Sequence, residues 1–339
     1  MCIRDRYISH PVNIKTVFLC KWKKKIDFYA GHRYLLVKFR ILGFCKVFIL
    51  KKLRQISVIG MGLLGASITL TTLRSLFGVK TVGYSHRPST RRKARQLGVA
   101  EEIVDDLSKC VAGADVVILA TPICTFEGIL GSIADVLKAG CIVTDVGSTK
   151  VLPHRWAEKL LPKDVYYVGS HPIAGSEKRG AEFARDDLFY GARCILTRKK
   201  NTSAAAFAKL RKLWVQLGCR VSVMSPGRHD RVFARVSHLP HVTATALINA
   251  GNPEQLTFAG KGFIDTSRVA SGPENVWSDI LITNAVNTAQ GIDKVIAELR
   301  KLQKAISAKD QKRVEKLLAA ARVKRAALIQ HKMRRKELI

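Results

Sequence analysis

The sequence lacks the long apolar runs and paired cysteines that mark membrane and metal-binding proteins. No uninterrupted apolar stretch approaches the roughly 18 to 20 residues that a bilayer-spanning helix needs, so we expect no membrane partner. The 8 cysteines are scattered, with no C-x-x-C pair and no histidine at metal-ligand spacing from them. This distribution predicts reduced thiols in a cytoplasmic protein and no bound metal.

Acidic residues are scarce, since 26 Asp and Glu stand against 58 Lys and Arg and give a net charge of +32. The excess lies at the two ends. Residues 1–54 contain 14 basic and 2 acidic residues, residues 300–339 contain 14 and 3, and the 245 residues between carry +9. In that middle part, aromatic residues are not interleaved with Lys and Arg as on nucleic-acid-binding surfaces. We therefore expect no nucleic-acid partner, and a basic nucleic-acid-binding protein with a nucleotide fold remains an alternative.

The first 54 residues show neither a helical nor a strand period and are interrupted by Lys or Arg every few positions. The opening letters MCIRDR resemble a translated cloning or sequencing artefact, and the apolar core and cleavage site of a secretory signal are missing. We interpret residues 1–54 as a basic N-terminal extension that is either non-native or disordered. The rest of the chain is long enough for two domains.

Residues 56–67, ISVIGMGLLGAS, combine a short apolar strand, a tight turn and the start of a helix. Gly60, Gly62 and Gly65 have the G-x-G-x-x-G spacing of a dinucleotide-binding loop. The first glycine permits the turn, the second lets the backbone approach a pyrophosphate, and the third lets the helix pack against the strand. We expect the N–H groups at the helix start, at Leu63 and Leu64, to bind the phosphates.

Strand and helix patterns alternate from residue 55 onward, which predicts a parallel sheet with helices on both faces. The fold class is therefore α/β, with a Rossmann-type doubly wound, mainly parallel sheet over residues 55–225. Apolar runs predict strands at 56–59, 81–84, 116–120, 142–145, 165–169, 194–197 and 220–224. Residues 226–306 are helical in period and form a second, all-helical domain, followed by a basic helical tail at 307–339.

The second strand is followed by Ser85, at the position where NAD-specific enzymes usually place an acid that binds the ribose hydroxyls. An acid would repel a 2′-phosphate, whereas Ser85, His86 and Arg87 can bind one through hydroxyl and charge-assisted hydrogen bonds. The sequence therefore favours NADP over NAD as the cofactor. Thr121 and Pro122, which follow the strand at 116–120, are assigned to the same cofactor site.

Four further segments carry polar residues suited to act on a substrate. They are TDVGSTK (144–150), GSHPIAGSE (169–177), HDRVFARVSHLPH (229–241) and GFIDTSRVASGPENVW (262–277). Their order and spacing resemble the prephenate and arogenate dehydrogenase family over residues 56–306. The resemblance implies NAD(P)-dependent oxidative decarboxylation of prephenate to 4-hydroxyphenylpyruvate in tyrosine biosynthesis, with arogenate as the alternative substrate. It also implies that the helical domain pairs two subunits into a homodimer.

The same resemblance implies roles for single residues. His171 would take the proton from the C4 hydroxyl of the substrate, and Ser148 would hydrogen-bond to that histidine. Arg268 would bind a substrate carboxylate, and His241 would line the pocket. The other implied substrate-binding residues are Ser176 and two acids that gate the pocket and pair with the arginine, Glu177 and Asp265.

A different β-hydroxyacid or imine-type dehydrogenase on the same two-domain plan is a further alternative. Those enzymes use a lysine on the first long helix of the helical domain. This chain instead offers His238 and His241 in that region, and we interpret His238 as a buried structural histidine.

Overall fold

The computed structural model describes residues 28–31, 34–37, 53–174 and 178–335. The chain divides into two units, residues 1–52 and residues 53–339. In the first unit, Phe28–Gly31 (β1) and Tyr34–Val37 (β2) pair as antiparallel strands, which the sequence pattern did not predict. Most of the predicted basic extension, residues 1–54, lies outside the described residues.

The second unit is built on a six-stranded sheet in which all neighbouring strands are parallel, with the order β5-β4-β3-β6-β7-β8. This confirms the Rossmann-type fold. The short strand β5 was not predicted, because three residues are too few to show a period. The six strands are Gln55–Ile59 (β3), Lys80–Tyr84 (β4), Glu102–Val104 (β5), Val116–Leu119 (β6), Ile142–Asp145 (β7) and Tyr166–Tyr167 (β8).

Helices cover both faces of this sheet, so its central strands are buried on both faces and are mainly apolar. Side chains of β3 and β6 divide between two hydrophobic cores: Ile56 and Val58 pack in one, Val117 and Leu119 in the other. The helices of this part are Leu63–Ser75 (α1), Pro88–Gln96 (α2), Leu107–Val111 (α3), Phe126–Ile133 (α4), Val151–Leu160 (α5) and Ala204–Gln216 (α6).

The predicted strand at 165–169 is wrong in its bounds, because the chain makes two strands there. Tyr166–Tyr167 (β8) ends the large sheet, and Gly169–Ile173 (β9) begins a second sheet with Arg193–Thr197 (β10) and Arg220–Met224 (β11). Strand β9 is antiparallel to β10, and β10 is parallel to β11. Strand β9 was not predicted because it contains the polar residues Ser170 and His171, which interrupt the apolar pattern. His171 therefore lies within strand β9.

The described residues after β11, up to residue 335, form helices with short connections, as predicted. A π-helical stretch, Ala234–His238, joins the first two helices, next to Pro240, whose missing N–H cannot continue a regular ladder. Among the described residues, no helix is both long enough and apolar enough to cross a membrane. The helices are Pro226–Phe233 (α7), Leu239–Asn249 (α8), Pro253–Leu256 (α9), Lys261–Ser267 (α10), Glu274–Thr283 (α11), Ala285–Ser307 (α12) and Gln311–Arg334 (α13).

Candidate active site

The glycine loop between β3 and α1 is shaped for close backbone approach. Gly60 has φ +105°, and a Cβ there would lie 2.5 Å from the carbonyl oxygen of Ala120. A Cβ on Gly65 would collide with the carbonyl oxygen of Gly60, whereas a Cβ on Gly62 would meet no atom within 4 Å. Helix α1 has no side-chain cap, which leaves the first-turn N–H groups to bind an anion. The loop therefore fits a dinucleotide pyrophosphate beside Gly62, at Leu63 and Leu64.

The residues that follow β4 and β6 flank this loop. Ser85 is buried directly after β4, and the Arg91 guanidinium donates to the carbonyl oxygens of Ser85 (2.7 Å) and His86 (3.0 Å). Arg91 thus orders the turn, while His86 and Arg87 are exposed. After β6, the half-buried Thr121 lies beside Gly60, followed by the exposed Pro122.

His171 on β9 belongs to a row of three buried polar side chains. Its Nδ1 lies 2.9 Å from Nε2 of His229, and Nδ1 of His229 lies 2.8 Å from Oδ1 of Asp230. The Asp230 carboxylate in turn accepts the backbone N–H groups of Lys150 and Val151, each at 2.8 Å. The row thus ties helix α7 to the start of helix α5.

Burial lowers the pKa of His171 well below its usual value, with further lowering from His229 and Lys150. Burial likewise lowers the pKa of His229 to about 2. Both imidazoles are therefore neutral at pH 7, and a neutral imidazole can accept a proton. The Phe233 ring packs against both rings, with centroids 4.7 Å from His171 and 4.4 Å from His229.

Ser148 lies half-buried in the loop between β7 and α5. Among the described residues its side chain forms no hydrogen bond, so the implied bond to His171 is not made in this structure. The loop is held by a buried ion pair between Asp145 and Lys150. The Asp145 carboxylate also accepts the Tyr167 hydroxyl at 2.9 Å and two backbone N–H groups.

His241 and Arg268 are brought together by the turn that follows helix α10. Nδ1 of His241 donates to the carbonyl oxygen of Val269 at 2.8 Å, and Trp277 stacks on the imidazole with ring centroids 3.7 Å apart. Arg268 precedes Val269 and is exposed, as is Asp265. Neither forms an ion pair with another residue of the described part.

Two of the predicted substrate-binding residues, Ser176 and Glu177, lie outside the described residues.

His238 is buried and joined to the histidine row through Asn284. The Asn284 amide donates to the carbonyl oxygen of Asp230 at 2.8 Å and lies 3.2 Å from Nδ1 of His238. Burial lowers the pKa of His238 to about 4. No group of three or more His, Cys, Asp or Glu in the described ranges is arranged to hold a metal ion.

Sequence reasoning assigned no role to His229, Asp230, Asp145 or Lys150. All four lie in segments that were recognised as carrying the reaction, HDRVFARVSHLPH and TDVGSTK. The adjacent pair His229 and Asp230, in the same segment as His238 and His241, was the signal in the sequence that could have indicated a role. Their contacts to His171 and to helix α5 could not be read from spacing.

A glycine loop on a parallel sheet, with a helical domain adjoining a buried neutral histidine, defines a two-domain dinucleotide-dependent dehydrogenase. Residues 68–223 match the family model of the prephenate dehydrogenase nucleotide-binding domain, and residues 225–320 match that of the prephenate dehydrogenase dimerization domain. The chain belongs to the prephenate dehydrogenase family, whose members are oxidoreductases. The predicted family resemblance is thereby confirmed.

Two characterised relatives are similar over most of their length. Cyclohexadienyl dehydrogenase of Zymomonas mobilis is 33% identical over 264 residues, covering 76% of this chain and 90% of the relative. Prephenate dehydrogenase of Bacillus subtilis is also 33% identical, over 74% of this chain and 70% of the relative.

Solved structures agree with the sequence relatives. Prephenate dehydrogenase from Aquifex aeolicus, in complex with hydroxyphenyl propionate and NAD+, has a TM-score of 0.76 at 32% identity, covering 81% of this chain and 98% of that chain. Synechocystis arogenate dehydrogenase has a TM-score of 0.71 at 30% identity, with 81% and 99% covered. A nicotinamide dinucleotide is the cofactor that the glycine loop and the family's nucleotide-binding domain fit.

Proposed function

We propose that this chain is a prephenate dehydrogenase that converts prephenate to 4-hydroxyphenylpyruvate by NAD(P)-dependent oxidative decarboxylation. The observation that carries the proposal is His171, a buried neutral imidazole with Nδ1 engaged by His229 and no hydrogen bond to Nε2 among the described residues. Arogenate is the second candidate substrate, favoured by the likeness to an arogenate dehydrogenase structure.

The reaction needs a base, an anion-binding group and a held cofactor, because aromatisation of the ring supplies the driving force. A nicotinamide dinucleotide held at the glycine loop by Gly62, Leu63 and Leu64 would supply the acceptor for the hydride that leaves C4 of the substrate. His171 takes the proton of the C4 hydroxyl as the C–O bond becomes a carbonyl. The ring carboxylate then leaves as CO2, its electron pair completes the aromatic ring, and the phenolic oxygen recovers a proton.

The other site residues act by positioning. Arg268 is exposed and unpaired among the described residues, so its planar guanidinium is available to a substrate carboxylate. His241 presents a ring fixed by Val269 and Trp277 to the same pocket. Ser148 joins His171 once substrate is bound. Asp265, with Ser176 and Glu177, completes the substrate site.

The test is an assay of the full chain with prephenate or arogenate, each with NAD or NADP, following the absorbance of reduced nicotinamide. We expect turnover of prephenate, lost by about 10²–10⁴-fold in kcat when His171→Asn removes the base. Turnover of arogenate alone would support the second candidate. Folded protein that turns over neither substrate would contradict the function and leave only the fold shared with the family.

We infer that the cofactor is NADP, because His86 and Arg87 are exposed and because position 85 holds serine and not an acid. Arg87→Ala should raise KM for NADP by about tenfold or more, the value of one charge-assisted hydrogen bond, and leave KM for NAD unchanged. Arg92→Ala is the matched control, because Arg92 is also exposed and lies on helix α2, which follows Arg87 directly. An equal kcat/KM with both cofactors in the wild type would contradict the preference.

We also propose a homodimer, because residues 225–320 match the family's dimerization domain and helix α12 exposes apolar side chains. The scattered cysteines support a cytoplasmic location; the five in the described part, Cys110, Cys124, Cys141, Cys194 and Cys219, are free thiols.

A further inference from the structure

The row from His171 through His229 to Asp230 has a defined proton order. Two backbone N–H groups, from Lys150 and Val151, point at the Asp230 carboxylate, and an N–H group can only donate. Burial raises the pKa of Asp230, while these N–H groups act in the opposite direction by favouring the ionised form. As a carboxylate, Asp230 accepts a third hydrogen bond, from Nδ1 of His229.

The hydrogen bond that His229 donates to Asp230 determines the direction of the hydrogen bond between His229 and His171. A neutral imidazole carries one proton, so His229 with its proton on Nδ1 has a lone pair on Nε2. That lone pair faces Nδ1 of His171 at 2.9 Å, which makes His171 the donor. The only proton of neutral His171 is then on Nδ1, and its Nε2 carries the lone pair.

Both rings are neutral for a structural reason. His229 is fully buried, and His171 is 9% exposed. The charged and titratable groups that face them are Lys150, which is itself paired with Asp145, His238, and the Asp230 carboxylate that His229 contacts. Lys150 disfavours a second positive charge nearby, so a single proton on each ring is the stable state.

We propose that His229 and Asp230 are positioning residues that hold His171 in the tautomer whose Nε2 can accept the substrate proton. The proposal rests on the proposed function, in which His171 is the base. Neither residue needs to touch substrate. When His171 gains a proton at Nε2, the positive charge is stabilised along the row toward the Asp230 carboxylate.

Asp230→Leu is the sharpest test, because it removes the acceptor of the Nδ1 proton of His229, and a bare Nδ1 is then preferred beside the remaining N–H groups of Lys150 and Val151. Nε2 of His229 then carries the proton and donates to Nδ1 of His171, so His171 holds its proton on Nε2 and cannot act as a base. We expect kcat to fall by about 10²–10⁴-fold with KM near the wild-type value. The variant also loses an acceptor for helix α5, so its melting temperature is measured alongside.

A second pair of variants separates positioning from packing. His229→Gln keeps an acceptor oxygen within reach of Nδ1 of His171, whereas His229→Leu fills the space without one. We expect His229→Gln to retain kcat within about tenfold of wild type and His229→Leu to lose about 10²-fold or more. Equal losses in two folded variants would overturn the positioning role.

The tautomer itself is read by ¹⁵N NMR of the histidine-labelled full chain without substrate, with His171 assigned by the signals lost in His171→Gln. We expect a proton on Nδ1 and a bare Nε2 in the wild type, and the reverse in Asp230→Leu. A wild-type proton on Nε2 would overturn the proposal. This readout does not depend on turnover, so failure of the proposed function, seen as absent activity, is distinguished from failure of the positioning role.

Discussion

Arg268 is exposed on the helical part of the chain, and no described carboxylate neutralises it. Charged hydrogen bonds contribute about 1.5–3 kcal/mol, so we expect Arg268→Ala to raise KM for prephenate roughly 10- to 100-fold, with kcat reduced less. Arg268→Lys should recover only part of this, because an ammonium group lacks the planar fork. Steady-state kinetics measure both constants.

Arg322→Ala is the control, since Arg322 is an exposed arginine on helix α13 beyond the family match. It removes one positive charge without changing the proposed site. A KM that rises equally in Arg322→Ala and Arg268→Ala would mean that net charge, and not a specific bond, draws the substrate in.

The sequence predicted site residues where their chemistry is local. The glycines at 60, 62 and 65 could be read from spacing, and a side chain would collide with the backbone at Gly60 and Gly65 but not at Gly62. His229 could not, because its partner His171 is 58 residues away and on a strand that no apolar pattern marks. The buried ion pair of Asp145 and Lys150 was missed for a related reason. A charged residue in a motif can contact solvent, substrate or another charged residue, and the sequence does not distinguish these partners.

Two of the glycines in the loop before helix α1 and at its start allow the effect on folding to be measured separately from the effect on cofactor binding. Gly62→Ala meets no atom within 4 Å, so we expect a melting temperature near wild type but a cofactor KM raised about tenfold or more, equal to ~1.4 kcal/mol of lost binding. Gly65→Ala collides with the backbone of Gly60, and we expect it to destabilise the protein by about 1–3 kcal/mol.

Gly131→Ala on helix α4 is the matched control, because it too meets no atom within 4 Å and lies away from the loop. It should change stability by no more than about 1 kcal/mol and leave the cofactor KM unchanged. Thermal unfolding and cofactor titration measure the two effects. Normal cofactor binding by Gly62→Ala would argue against pyrophosphate approach at this loop.

Helices and strands were predictable where burial determines their pattern of apolar residues. Strand β6 is buried and consists of apolar residues only, and β3 and β7 are buried and mainly apolar, with Ser57 in β3 and Thr144 and Asp145 in β7 as buried polar residues. Strand β9 was misplaced because Ser170 and His171 face polar partners: the hydroxyl of Ser170 lies 2.7 Å from that of Thr144 and accepts the Trp214 indole N–H. Long-range hydrogen bonds of this kind leave no periodic trace in the sequence.

In the part of the chain that the structure describes, burial lowers the pKa values of five buried histidines, His154, His171, His229, His238 and His241. In the unfolded chain their pKa is about 6.5, so below that pH the unfolded state binds more protons than the folded state. Stability is therefore full above pH 6.5 and falls as the pH drops toward the folded pKa values, about 3 for His154 and about 4 for His238.

We expect the melting temperature to fall between pH 7 and pH 5.5, with each such histidine costing up to about 1.4 kcal/mol per pH unit once the unfolded state is protonated. His154→Gln should reduce this slope, because His154 bonds Thr197 outside the catalytic row and glutamine does not titrate. Calorimetry across the range measures it. A melting temperature that is constant or rises toward pH 5.5 would contradict the assignment of neutral buried rings.

Helix α12 carries the surface on which the proposed homodimer depends. Val286, Leu299 and Ile306 are 71%, 58% and 61% exposed, and a groove of about 580 Å³ lies along Ile296 to Ser307. Exposed apolar patches of this kind mark protein interfaces. Leu299→Glu should therefore convert the dimer to a monomer, because a charge would be buried without a partner. Light scattering after size-exclusion chromatography measures the mass.

Leu328→Glu is the control for that experiment, because Leu328 is similarly exposed, at 55%, but lies on α13 beyond the matched dimerization domain. It adds the same charge and should leave the dimer intact. Dissociation by both variants would mean that the tail contributes to the interface or that added charge alone separates the subunits. A wild-type protein that is monomeric at all concentrations would refute the dimer, and the apolar face of α12 would then need another partner.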